Sequence, residues 1–205
     1  MLKKAELENL YLNKNKSMQE IADLLKCSLH KVSYWMEKYE IKSRSRSDAT
    51  YGRYHPHGDP FKVKKPISMG DYELMGLGLG LYWGEGTKSS KTAVRLGNTD
   101  PKLIKKFIEF LVKICGVKKE DMRFGLQIFN DINPQTALNF WLRELNAKRS
   151  QFFKIIVTPS RGKGTYKKKL EYGVLTVHYG NKKLRDILVG ALERRYSKSA
   201  VKLPK

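Results

Sequence analysis

From Leu74 to Lys88 the chain is an apolar run punctuated by glycine. Gly76, Gly80 and Gly84 recur at every fourth position, and Glu85-Gly86 closes the run. Residues four apart share one face of a helix. The apolar content of the run predicts a helix over 71–84, although each interior glycine costs roughly 0.5–1 kcal/mol relative to alanine. Three such residues on one face must be offset, and close approach of a second backbone is the usual means. Gly76, Gly80 and Gly84 are therefore a candidate seam between two copies of the chain. Pairing through that seam sets two Glu85 carboxylates side by side.

Charge narrows what the rest of the chain can meet. The 205 residues carry a net charge of +21, and residues 1–60 hold only 11 of the 41 basic and 8 of the 20 acidic side chains. Beyond residue 60 the net charge is therefore +18. An anionic polymer is the natural partner, since each neutralised phosphate releases counterions. A solubility charge is the plain alternative. The 40% apolar content suits a packed core. No apolar run approaches the roughly 18–20 residues that span a bilayer. The N-terminus turns acidic too early for a signal peptide. The expectation is a cytoplasmic protein without a small-molecule cofactor. Cys27 and Cys115 read as reduced core thiols rather than zinc ligands.

Residues 1–41 read as three short helices. Ser17 and Glu20 form a Ser-x-x-Glu capping box, and Ser28 opens a second helix over Leu29 to Tyr39. Two short helices joined by Lys26-Cys27-Ser28, with Ala22 at the crossing and Val32 and Trp35 inside, have the form of a helix-turn-helix; a generic three-helix packing unit is the alternative. Lys26 replaces the glycine usual at such turns, which predicts a looser turn. His30, Lys31, Ser33 and Tyr34 fall on the outward side of the second helix, as groove contacts or as solvated surface. Arg44 and Arg46 lie in a basic serine-rich tail suited to phosphates. Residues 1–50 are thus the first module and 51–67 the linker. The His55 and His57 pair there lacks further ligands at metal spacing.

From residue 68 to 205 the expected order is helix, strand, helix, strand, helix, strand, strand, helix, an α+β domain. Strand alternation sorts side chains by face. Val94, Leu96, Met122, Phe124, Leu126, Ile128, Phe153, Ile155, Val157, Leu175 and Val177 point inward. Ala93, Arg95, Arg123, Gly125, Gln127, Lys154, Thr158, Tyr172, Thr176 and His178 point outward. The charged and polar members are candidate contacts to base edges and phosphates. A solvated polar face is the alternative. Lys91 and the basic loop with Arg161, Lys163, Lys167 and Lys168 are candidate phosphate contacts.

The run Gly78 to Gly86 resembles the signature of the LAGLIDADG homing endonuclease family, with Glu85 at its acidic position. The string Arg95 to Pro101 is similar to members of a prokaryotic subgroup that carries an N-terminal helix-turn-helix. The resemblance covers residues 68–196. It implies a four-stranded mixed or antiparallel sheet with helices on one face and double-stranded DNA on the other. Also implied are a homodimer pairing through Gly76, Gly80 and Gly84, and Mg²⁺ held at Glu85 and Gly86. In a phosphodiester hydrolysis of that kind Lys88 would contact a phosphate, and Lys88 and Gln127 would position water. Aspartate is more usual than glutamate at this position, and Trp83 stands where a polar residue is common. These departures keep open a DNA-binding regulator that does not cleave, and more remotely an RNA maturase.

Overall fold

The computed structural model describes residues 1–56, 58–159 and 171–198, in two compact units, Met1–Pro60 and Phe61–Lys205. Among the described residues no helix is long and apolar enough to cross a membrane.

In the first unit, α1 (Lys4–Glu8) runs on into a π-helical turn over Asn9–Asn13, and α2 (Met18–Leu24) and α3 (Leu29–Lys38) follow. The Ser17–Glu20 capping box forms reciprocally, Glu20 N donating to Ser17 Oγ at 3.1 Å and Ser17 N to the Glu20 carboxylate at 2.8 Å. Those bonds hold the Glu20 carboxyl below its ordinary range. Ser28 caps α3 by accepting from Lys31 N at 3.2 Å. Leu7, Tyr11, Ile21, Ala22, Val32 and Met36 make one core, with Trp35 packed half-buried against it. Lys26 stands at φ 49°. The turn is therefore the left-handed one that glycine would make, entered by a lysine, and not a looser one.

The expected linker is in part helical. Helix α4 (Arg46–Tyr54) begins on the Ser45 cap, whose Oγ accepts from Asp48 N at 3.1 Å. The second unit starts earlier than expected. Phe61 is buried in its core, and Lys62 N and Lys64 N donate to Cys115 O and Ile114 O at 3.0 and 2.8 Å. Gly116 makes that contact possible, since a Cβ there would lie 2.7 Å from Lys62 O and its φ is +68°.

The second unit is α+β. Its helices are α5 (Met69–Glu85), α6 (Pro101–Lys113), α7 (Pro134–Leu145) and α8 (Lys182–Lys198), which gives eight α-helices in all among the described residues. Its strands β1 (Val94–Asn98), β2 (Arg123–Phe129), β3 (Ile156–Thr158) and β4 (Val174–Tyr179) form a mixed sheet in the order β1-β4-β2-β3. β4 is antiparallel to both β1 and β2, while β3 runs parallel to β2. Helix starts follow side-chain caps, with Ser68 opening α5, Asp100 and Pro101 opening α6, and Asn133 and Pro134 opening α7. Val94, Leu96, Phe124, Leu126, Ile128, Leu175 and Val177 are buried in one cluster with Leu74, Tyr82, Phe107, Phe110, Trp141 and Leu184 from the helices. The helices therefore cover one sheet face.

Three expectations about side-chain direction fail at strand ends. Ala93 is buried, because it precedes β1 and is not held to that strand's alternation. Phe153 is exposed, whereas Phe152 is buried; Val157 keeps the inward parity of its partner Ile128 and is exposed only because β3 is the sheet edge. Residues 149–151 form a 3₁₀ turn and β3 begins only at Ile156, so the strand's period of two does not reach back to Phe153. Tyr172 turns to the helical side. Its ring stacks on Phe140 at 3.7 Å, and its carbonyl accepts from Trp141 Nε1 at 2.9 Å. Gly173, at φ +71°, breaks the alternation between Tyr172 and β4.

Candidate functional site

Helix α5 carries glycines on two opposite faces, because residues two apart on a helix lie about 200° apart. Leu74, Gly78 and Tyr82 face inward. Gly78 meets α6, and a Cβ there would stand 2.1 Å from the Phe110 ring. Gly76, Gly80 and Gly84 lie on the far side, exposed, with nothing within 4 Å of a Cβ built on any of them. Tyr72, Leu77 and Trp83 are exposed apolar residues of the same helix, at 60%, 47% and 49%. The glycine that serves packing within the chain is thus Gly78, while the expected seam is open.

Glu85 ends α5 with an exposed carboxylate. Gly86 is buried under Tyr82 and leaves no room for a side chain, since a Cβ would lie 2.2 Å from Tyr82 O. Beyond it the chain joins the sheet edge through a Gly86–Leu96 bridge and a bond from Thr87 N to Arg95 O at 2.9 Å. Glu85 is thereby fixed beside β1. Among the described residues no group of three or more His, Cys, Asp or Glu side chains gathers to hold a metal. A lone exposed carboxylate still suits Mg²⁺, which takes one or two carboxylates and completes its shell with water and substrate phosphate.

The residues expected to assist Glu85 do not join it. Lys88 donates its ammonium to Trp83 O, so it closes the end of α5 instead of facing a substrate. Gln127 is exposed on β2, with β4 and β1 between it and Glu85, a separation of about 14 Å at the usual strand spacing. It cannot position water for Glu85 of its own chain. Arg185 of α8, not singled out in the sequence, donates to Lys88 O at 2.7 Å and so ties the segment after Glu85 to the last helix. An arginine in an amphipathic helix gives no sequence signal of a bond to a residue 97 positions away.

The uncovered sheet face is organised in rows. Register sets Arg95, His178 and Arg123 across β1, β4 and β2 in the first row, and Gly97, Thr176 and Gly125 in the second. Val174, Gln127 and Ile156 make the third, across β4, β2 and β3. Arg95, Arg123 and Gln127 are exposed; Thr176 and His178 are half-buried. The outer residues of these strands include no Asp or Glu. Arg123 folds back to donate to Glu120 O and Met122 O at 3.0 and 3.1 Å. Phe153 and Ile156 add exposed apolar surface that the sequence reading did not assign to this face. Lys91 and Lys154 are exposed, and half-buried Thr158 donates its hydroxyl to Ile128 O at 3.2 Å. Tyr172 is absent from the face for the reason given above. Arg161, Lys163, Lys167, Lys168 and His57 lie outside the described residues.

In the first unit, His30, Lys31, Ser33 and Tyr34 share the exposed side of α3, opposite buried Val32 and Met36. Arg46 is exposed at the start of α4. Arg44 is not available to a partner. Its guanidinium donates to Asn15 O at 3.2 Å, to Asn15 Oδ1 and to Lys16 O, and lies over the Tyr11 ring at 4.3 Å. Charge alone marked it as a phosphate contact, but three acceptors and a ring make it a clasp on the loop after the π-helical turn.

Compared with protein-family models, with curated proteins and with solved structures, the chain matches none.

Proposed function

We propose that the protein binds double-stranded DNA site-specifically as a homodimer and cleaves it in a divalent-metal-dependent phosphodiester hydrolysis at Glu85. The observation that carries the reading is the uncovered sheet face, which bears Arg95, His178, Arg123, Gln127 and Thr176 and no carboxylate on its strands. A face with guanidinium, imidazole, amide and hydroxyl groups suits phosphates and base edges. The net charge of +18 beyond residue 60 supports the same partner. On this reading residues 68–196 are a LAGLIDADG-like domain, and α2 and α3 are a helix-turn-helix that presents His30, Lys31, Ser33 and Tyr34 to a groove. The open Gly76, Gly80 and Gly84 face of α5 pairs two chains. A two-fold dimer then reads a near-palindromic site.

Glu85 of each chain, at its fixed place beside β1, would hold Mg²⁺, which supplies a polarised water and charge stabilisation at the scissile phosphate. Arg95 and Lys91 would hold the neighbouring backbone. A second reading is a regulator of the same build that binds without cleaving. It is favoured by the commitment of Lys88 to Trp83 O and by the distance of Gln127 from Glu85. Selected target duplexes incubated with Mg²⁺ and either wild type or Glu85→Gln separate the two. Cleavage by wild type alone is the expected result. Equal, specific binding by both with no cleavage by either leaves the regulator, and absence of specific binding ends both.

A further inference from the structure

Within the first row of the open sheet face, three observations converge on one imidazole. Arg95 and His178 are direct cross-strand partners, which puts their Cβ atoms about 4.5–5.5 Å apart on the same face. The His178 ring is held in place: its Nε2 lies where Gly125 has no side chain, 3.1 Å from the position a Cβ would take, and the Phe153 ring meets it edge-on at 5.3 Å and 89°. The ring is half-buried in an environment of one sign. Arg95 faces it from β1 and Arg123 stands beside it on β2, its guanidinium turned to the Glu120 and Met122 carbonyls. From its own strand it has Thr176, and Phe153 is followed by the exposed Lys154. The carboxylate at that edge of the sheet, Glu85, lies beyond β1 at the end of α5.

We propose that Arg95 and His178 form one phosphodiester-binding subsite, which the imidazole joins as a cation only when a phosphate arrives, so that nucleic-acid binding takes up a proton. The inference rests on the nucleic-acid reading above and deepens it. In the free protein, burial of the ring and the Arg95 charge beside it hold His178 below the ordinary imidazole value. It is therefore neutral at neutral pH, and Arg95 is the cation that first attracts an anion. A phosphate set against Arg95 reverses the local field, cancelling the repulsion and offering the imidazole an acceptor. The charged form is then favoured, and affinity depends on pH in the interval where histidine titrates. The Gly97–Thr176–Gly125 row beside the subsite leaves the floor low enough for a sugar–phosphate backbone to approach.

The test follows the His178 ring by NMR as pH is varied, free and with a mixed-sequence DNA duplex at low salt. Duplex affinity of wild type and His178→Gln is measured in parallel. The ring signal is assigned by its loss in the variant. The expected result is a rise of about one pKa unit on binding, which is a factor of about ten in affinity. As pH falls from about 8 through the histidine range wild type should tighten more than the variant, with about tenfold as the limit approached only below the free-state value. Arg95→Gln should weaken binding at every pH. Binding of the duplex with an unchanged His178 titration overturns the subsite and leaves the DNA reading standing. Failure of wild type to bind any duplex at low salt overturns both.

Discussion

Replacing Gly80 of α5 by alanine should raise the stability of the isolated chain and weaken its self-association. A Cβ at Gly80 meets nothing within 4 Å. The substitution therefore adds no contact in the monomer and removes the backbone freedom of a mid-helix glycine. The gain is about 0.5–1 kcal/mol, or a rise in Tm of about 1–4 °C for a chain of this size. If two chains pair through this face, the new methyl enters the seam from both sides. Overpacking of that kind costs about 1–3 kcal/mol, and each 1.4 kcal/mol weakens dimerisation about tenfold. Gly78→Ala supplies the contrast on the opposite face, because its Cβ would lie 2.1–2.6 Å from three Phe110 ring atoms. It should destabilise the monomer by about 1–2 kcal/mol after the helix gain is counted. Urea unfolding at dilute concentration reads the monomer term, and sedimentation equilibrium reads the association. A Gly80→Ala chain less stable than wild type would show that the far face is not open in solution. A dimer indifferent to Gly80→Ala would show that pairing occurs elsewhere.

Lys26 holds φ 49°, so Lys26→Gly should stabilise the first unit by roughly 1 kcal/mol; an unchanged or lower urea midpoint by circular dichroism would contradict the turn. Cys115 is fully buried, and burial pushes its thiol up to about 12, whereas Cys27 is half-buried. A thiol reagent at about pH 8, near the ordinary cysteine range, should label Cys27 in the folded chain and both cysteines after unfolding; early labelling of Cys115 counts against its packing. His178 sits below the ordinary value of 6.5 when folded, so the unfolded chain takes up the proton first as pH falls. Stability attributable to this group should be constant above that value and decline below it. His178→Gln should therefore lose less stability on acidification than wild type, and matching acid profiles would refute the effect of burial.

Much of the architecture was legible because it is local. The Ser17–Glu20 box, the Ser28, Asp100 and Asn133 caps and the prolines at 101 and 134 act within three residues of themselves. Helix starts could therefore be placed from spacing alone. Alternation separated the two faces of β1, β2 and β4, since each of these strands is long enough to keep its period. The same rule failed at residues 153 and 172, where a 3₁₀ turn and a left-handed glycine reset the phase.

The sequence by itself determined the α+β order, the inward side chains of the three longer strands and the excess of positive charge beyond residue 60. It also placed a carboxylate at the end of a glycine-striped helix. Tertiary structure alone decided the strand order β1-β4-β2-β3 and the parallel edge, which depend on pairings between distant segments. It alone divided the glycines of α5 between Phe110 and open solvent. It also withdrew Arg44 and Lys88 from the candidate site, because a cation's availability depends on which carbonyl oxygens the fold brings within its reach. Residue type fixes what a side chain is able to do, and the acceptors assembled around it fix whether it remains available.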